Sequence, residues 1–535
     1  MSKSLHNGIV LTYEWPPRYM DTQSEEPMPV PYLDNPPEVI PIDLGRQLFV
    51  DDFLIEKTAL QRVYHKPERY AGNPVLEAET EFETRIKPRV GLQQGGVFYN
   101  PDAERYEMFY HSGTLDPRCR HMAVSTDMVN WERPDFGHGA GNMFREPGPD
   151  GEALPPDTPG AIFAVWLDLE AENPERKYKL INFSRKNPRV HTLHTSPDGV
   201  NWSKPVLAGP AGDAQSFFYN PFRKVWVYSI KRHIQRNGHD LRARWYAEHP
   251  VFLRGNDWTE AVYWTCADRL DRPEPAGGYP AYPAEGGPCQ LYALHGAAYE
   301  SIMLGMHEIH RGPENSVCKG GNFPKLTDLE IGFSRDGFHW HRPDRGDFIR
   351  SLRHEGPWDR SYLHSTTSIC VIKDDQLIFP YSGYSGFDPD GTPGIYNGGA
   401  IGTAALRRDG FASMRAGKEE KTLLTRPVTF RGKHPFVNID APDGQLKVEL
   451  CSEQGEPLPG FRKSDCVPIA GDSTKTMVKW KGDRTAGEHA NRPVRFRFHL
   501  TKGDIYSFWL SGSESGESGG YVAGGGPGFT GNKDK

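Results

Sequence analysis

Apolar positions in this chain fall into short runs separated by Gly, Pro, Asp and Asn. RHMAVST (Arg120–Thr126), VHTLHTS (Val190–Ser196), LEIGFSR (Leu329–Arg335) and GAIGTAALR (Gly399–Arg407) alternate in polarity or carry β-branched and aromatic residues. Such runs read as strands that feed hairpins. Each leads into one recurring heptad: STDMVNW at Ser125, SPDGVNW at Ser196, SRDGFHW at Ser334, and a frayed RRDGFAS at Arg407. Asp127 to Asp198 is 71 residues, Asp336 to Asp409 is 73, and Asp198 to Asp336 is 138, about twice the step. GNDW (Gly255–Trp258) lies in the gap as an eroded fifth copy. A fixed period is the mark of a repeat architecture.

Upstream of the heptads lie further strand pairs. VFYNPDAERYEMFYHSG (Val97–Gly113) and FFYNPFRKVWVYSIKR (Phe217–Arg232) each hold an aromatic strand, a Tyr-Asn-Pro turn and a second aromatic strand. Each unit is therefore expected to be a four-stranded antiparallel sheet, the blade of a propeller. The fold class predicted is all-β: a five-bladed β-propeller over 43–415, followed by a small β-sandwich over 416–511. Blades are placed at about 85–135, 155–208, 211–270, 287–345 and 359–415. The apolar stretch Leu48–Ile55 is expected to complete the last blade and close the ring. After Arg415 the heptads stop and alternation becomes strict. In QLKVELC, Leu446, Val448 and Leu450 share one face, and VRFRFHL places Phe496 and Phe498 in the same way. That is the pattern of sheets with one wet face. The Pro-rich, acidic stretch 1–42 is expected to lie extended over the domain or to be disordered. The Gly/Ser-rich tail 512–535 is expected to be disordered.

Composition narrows the function classes. The chain has 535 residues, a net charge of −7 and both signs interspersed, which argues against nucleic-acid and anionic-membrane partners. No apolar run approaches a membrane span, and the first residues show no signal-peptide core. The seven cysteines are scattered without CxxC and read as reduced thiols. A cytoplasmic enzyme is the simplest expectation, although a chain trimmed of its leader would read the same way. No cofactor or metal motif is found. His307 and His310 do not form HExxH, and in a strand residues three apart face opposite ways.

A strand followed by Ser-x-Asp-Gly-x-x-Trp, repeated over a propeller and followed by GKHPFVNIDAPDGQLKVELCSEQGEPLPGF, resembles the invertase and levanase type of glycoside hydrolase, family 32. It is also similar to the related arabinanase and fructosyltransferase families. The resemblance covers about 43–511 in architecture and implies cleavage of a glycosidic bond, furanosidic bonds included, in an axial pocket. The family's first-blade Asn-Asp-Pro-Asn-Gly motif and its Arg-Asp-Pro and Glu-Cys pairs are absent. NPDAERY (Asn100–Tyr106) lies in the turn after a first strand and does not replace them.

Glycoside hydrolysis needs two carboxyl groups, one protonated and one ionised. In a propeller the pocket is lined by residues that start strand one or end strand two of a blade. Three acids meet that rule. Asp213 opens blade three after Gly-Pro-Ala-Gly, Asp157 opens blade two between prolines, and Glu308 ends strand two of blade four. The plain alternatives are a turn cap for the two aspartates and a solvated edge for Glu308. Asp51 and Asp52 lie in an apolar strand; the plain reading is a bulge or a turn bonded by the first Asp, and the functional alternative is a pocket acid. Glu308 is assigned as proton donor, and Asp213 as nucleophile or water-positioning carboxylate. Arg89, Gln93, His111, Arg232, His307 and His364 are the substrate-binding candidates, with Gln94 and Lys231 beside them; surface ion pairs are their plain alternative. The heptad aspartates recur once per blade and belong to the fold. The partner expected is a carbohydrate. Two other functions stay open: a glycoside phosphorylase, with Arg89, Lys231 and Arg232 holding phosphate, and a non-catalytic glycan-binding propeller.

Overall fold

The computed structural model describes residues 3–84, 87–113, 118–145, 163–184, 190–272, 287–321 and 324–535. Five antiparallel sheets surround an axis. Blade one comprises Val90–Asn100, Arg105–Gly113 and Arg118–Ser125, with Glu132 bridged to Val124 at its outer edge. Blade two comprises Phe163–Leu167, Tyr178–Ser184, Val190–Ser196 and Val206–Ala208. Blade three runs Ser216–Asn220, Val225–Arg236, His239–His249 and Val262–Thr265. Blade four runs Gln290–Glu300, Ile302–Gly312 and Leu326–Ser334, and blade five has Ser361–His364, Val371–Lys373, Gln376–Tyr384 and Gly399–Arg407. The first strands are innermost: that of blade one runs parallel to that of blade two, with Gly95 opposite Ala164. All-β architecture and the five-bladed propeller are thus present.

The heptads are turns. In each of three copies the aspartate carboxylate caps the two following amides: Asp127 those of Val129 and Asn130, Asp198 those of Val200 and Asn201, Asp336 those of Phe338 and His339. The next position needs a left-handed backbone, with φ of 78° at Gly199, 82° at Gly337 and 66° at Met128. Glycine fits there without strain, which explains Asp-Gly in two of the three. Trp202 and Trp340 are buried, whereas Trp131 is half-buried. The frayed copy differs: Asp409 is fully buried and ion-pairs with Arg46 at 3.0 Å.

Two expectations change, ring closure and the tail, while the N-terminal stretch takes the extended one of its two expected states. Leu48–Ile55 does not close the ring: Gln47–Leu48 pairs with Gly503–Ser511, and Ile55–Thr58 with Lys421–Thr425, both in the second domain. Phe49, Phe53 and Leu54 enter the core of that domain. The ring is closed instead by Glu68–Arg69, which pairs with Gly399–Arg407 of blade five. The Pro-rich N-terminal stretch lies extended over blades three and four, where Asn7 donates to the Arg335 carbonyl at 2.8 Å and Gln23 to that of Gln235 at 3.0 Å. The tail is ordered. Tyr521–Val522 pairs with the innermost strand of blade four, the Tyr99 amide donates to Gly524, and the Ile372 amide to Gly525. Backbone donors and acceptors at the strand ends hold it there, together with the buried side chains of Tyr521 and Val522, which join the propeller core; these few anchors are diluted in a Gly/Ser-rich composition.

The second domain is one curled nine-stranded sheet. Its long strand His434–Cys451 pairs with Gly503–Ser511 through its first half and with Arg495–Thr501 through its second. Leu446, Val448, Leu450, Phe496 and Phe498 face its core, as the alternation predicted.

Candidate active site

The tail covers the end of the axis where first strands finish, and the candidate residues gather at the other end, where they begin. Asp213 is there. Its carboxylate pairs with Lys231 on the second strand of the same blade, and its side chain is 35% exposed. The glycine-bearing approach brings the backbone close: the Gly212 amide donates to the Lys231 carbonyl at 2.9 Å, and a Cβ on Gly212 would come within 3.1 Å of that carbonyl.

Glu308 lies deeper and is fully buried. Its carboxylate accepts from His364 Nδ1 at 2.9 Å, from the Ser365 amide at 2.8 Å and from His295 Nε2 at 3.3 Å. Ser216 Oγ in turn donates to His295 Nδ1 at 2.7 Å. Burial pushes the Glu308 pKa up, but His364 and then His295 overcome it and hold the carboxyl far below its ordinary range. Three donors and the direction of that shift favour the ionised form, against the proton-donor role expected from sequence. It orients His364 instead, whose Nε2 has no hydrogen-bond partner among the described residues.

His364 packs against Tyr362, with ring centroids 4.3 Å apart, and lies 5.6 Å from Tyr292. The two tyrosine hydroxyls meet at 2.8 Å. Tyr362 has φ of 48°, a sparsely populated backbone for an aromatic residue, and such departures concentrate at functional sites. Tyr384 and Tyr396 complete the aromatic wall. Lys325, which precedes strand three of blade four, donates to Tyr292 Oη at 3.1 Å. Arg242 lies 5.3 Å from the Tyr292 ring. Arg244 reaches from blade three to the carbonyls of Ala214 and Tyr292, tying the two inner strands together.

The other candidates divide. Arg89 is buried beside the tyrosines; it donates to the carbonyls of Gly113 and Tyr396 and lies 5.8 Å from the Tyr396 ring. It braces the wall. His111 stands opposite Gly91, where a Cβ would come within 3.1 Å of its imidazole and 2.7 Å of Tyr384 Oη; the glycine makes room for both. Gln93 and Gln94 form a bulge with φ of 30° and 75° that meets Thr366–Thr367 of blade five. Arg232 does not join the site. Neighbours on a strand face opposite ways, so Lys231 meets Asp213 while Arg232 donates to the carbonyls of Pro210 and Trp258. His307 is also turned away, packed on Trp340 at 6.0 Å. Asp51 and Asp52 pair with Arg335 and Arg62, away from the axis. Asp157 lies outside the described residues. Among the described residues no cluster of His, Cys, Asp and Glu is arranged to hold a metal ion.

Tyr292, Lys325 and Arg242 were not found from sequence. Tyr292 lies near the start of strand one of blade four and satisfies the placement rule, but a tyrosine within an apolar run reads as core. Lys325 and Arg242 start third strands, which the rule omits.

No family model matches the chain, and no curated protein matches it. Solved structures similar to it include a thermostable family-43 glycoside hydrolase, at 12% identity over 63% of this chain and 96% of that one, TM-score 0.37. The catalytic domain of a Coprinopsis cinerea GH62 α-L-arabinofuranosidase matches at 12% identity over 64% and 97%, TM-score 0.37. An exo-β-1,3-galactanase from Phanerochaete chrysosporium matches at 9% identity over 84% and 99%, TM-score 0.33. These likenesses do not single out family 32. At such scores the fold rests on the sheet order described above.

Proposed function

We propose that this chain cleaves a glycosidic bond at the end of the propeller axis where first strands begin, with Asp213 as the ionised carboxylate that attacks the anomeric carbon or positions water. The observation that carries this reading is the Asp213–Lys231 pair: a part-exposed carboxylate at a first-strand start, facing a wall of tyrosine, histidine and cationic side chains. Sugars are bound by such mixtures of ring faces and hydrogen-bonding groups. The test is a panel of oligosaccharides and aryl glycosides incubated with the wild type and with Asp213→Asn. Loss of turnover by about 100-fold or more, with the melting midpoint kept, supports the role. Wild-type turnover in the variant removes Asp213 from the chemistry. Saturable sugar binding with no product from any glycoside favours the glycan-binding alternative.

A second reading, phosphorolysis, is favoured by one observation: Arg242 and Lys325 have no carboxylate partner among the described residues. Turnover that requires inorganic phosphate decides for it.

A further inference from the structure

We infer that Tyr292 is the proton-transferring residue of the axial site, giving its hydroxyl proton to the leaving glycosidic oxygen while Lys325, Arg242 and Lys231 hold the phenolate that remains. The inference rests on the glycoside-cleaving reading and fills the role that Glu308 does not take. Its substrate class is a glycoside with a poor, alkyl-type leaving group, because only such a group needs a proton as the bond breaks.

Lys325 is the first observation. It is fully buried, yet no carboxylate pairs with it among the described residues. Buried lysines are almost always paired, because an isolated ammonium away from water is costly. Its Nζ lies 5.0, 4.6 and 5.0 Å from the rings of Tyr292, Tyr362 and Tyr396, and among the described residues donates only to Tyr292 Oη. The charge has a natural counter-ion only when that hydroxyl loses its proton. Arg242 is the second. It has no acid partner among the described residues either: its Nη1 donates to Gln290 Oε1 at 2.6 Å, and its guanidinium lies over the same ring.

The remaining groups around Tyr292 fit the assignment. From blade three come Lys231 and, opposing it, Asp213, with Arg244 on the Tyr292 carbonyl. From blade four, His310 lies 6.0 Å away and is kept neutral, chiefly by burial and then by Lys325 and Arg242. From blade five, Tyr362 shares the hydrogen bond, and His364 on Glu308 lies behind it. Burial raises the Tyr292 pKa, but Lys325, Arg242 and Lys231 pull harder, leaving it at about 8. At neutral pH the hydroxyl keeps its proton, and an acid whose pKa is near the working pH transfers it most effectively.

The step balances. The anomeric carbon–oxygen bond breaks, and the leaving oxygen takes the Tyr292 proton. Water forms the new bond to the anomeric carbon and loses a proton to the Asp213 carboxylate. That proton returns to the phenolate through solvent.

The test combines a titration with a leaving-group comparison. Ultraviolet difference absorbance of the full chain should show one tyrosine ionising near pH 8, and Tyr292→Phe should lose that step. Tyr292→Phe should slow cleavage of alkyl glycosides by about 100-fold or more while nearly sparing aryl glycosides, whose phenolate leaves without help. In the wild type the alkyl-glycoside rate should fall as pH rises through about 8. Lys325→Arg should keep the low titration and Lys325→Met should move it up, which holds even where the Phe variant is less stable. Absence of any tyrosine ionising below about pH 9, or equal loss on both leaving groups, overturns the assignment. A wild type that titrates near 8 but cleaves no glycoside sinks the glycoside reading and the leaving-group role with it, whereas one that cleaves glycosides without the titration sinks only Tyr292.

Discussion

Replacing Glu308 with Gln keeps the side chain's shape and removes the charge at which three donors aim. In the native site the carboxylate accepts from His364 Nδ1, His295 Nε2 and the Ser365 amide, at 0% exposure. Removing one partner of a buried charged pair costs about 3–5 kcal/mol. Gln keeps an acceptor for the Ser365 amide, so the cost should lie near the lower end, about 3 kcal/mol. In a domain of this size about 2 °C accompanies each kcal/mol, so the melting midpoint should fall by about 6 °C at pH 7. The sign of the pH dependence follows from the depressed native pKa. Wild-type stability from this group is fully present above the ordinary glutamate value of 4.5 and is lost as pH falls through it toward the native value. The Gln variant has no such contribution, so the gap between the two midpoints should narrow as pH drops below about 4.5. The chemistry should change as well. The Gln amide faces His364 Nδ1 with a donor, so the imidazole proton moves to Nε2, and the nitrogen on the site side becomes a donor. Thermal unfolding from pH 7 to pH 3, with activity measured on the folded fraction, checks both effects. A midpoint within about 1 °C of wild type at pH 7, or two midpoints that fall in parallel with pH, would refute the buried-anion account.

Other outcomes follow from neighbouring features. Trp340, 3% exposed and packed where a Cβ on Gly305 would come within 2.6 Å of its ring, should cost about 3–5 kcal/mol when changed to Ala, read by thermal unfolding, with little change in activity per folded molecule. Lys231→Met removes the cation beside Asp213 and should lower turnover sharply, whereas Arg232→Ala, on the opposite face of the same strand, should leave it near wild type; equal effects would contradict the strand orientation. Deleting 520–535 strips the tail from the inner strands of blades one, four and five, and should lower the melting midpoint and raise amide exchange at Tyr99 and Ile372; unchanged exchange there would contradict the cap.

The sequence by itself determined the repeat, and with it much of the fold. The heptads recur because each blade needs the same turn, and that turn is made by contacts within a few residues: an aspartate capping two amides and a left-handed position after it. Local chemistry of this kind is legible in letters. So is the strict alternation around Leu446 and Phe496, because one wet face imposes it along a single strand. Placement at strand ends also located Asp213, His364 and Arg89 at the same end of the inner strands. Tertiary structure decided what depends on partners distant in sequence. Leu48–Ile55 reads as a strand for either domain, and only its pairing with Gly503–Ser511 and Lys421–Thr425 assigns it. The tail bonds through backbone groups at three blades, which leave no mark in its Gly/Ser composition. Glu308 reads as a pocket acid at the end of its strand, but its carboxylate is held by His364, 56 residues after it, and by His295, 13 residues before it. Tyr292 and Lys325 acquire their chemistry in the same way: neither residue is unusual alone, and the physics that sets a proton's affinity is the field of neighbours that only the closed ring of blades brings together.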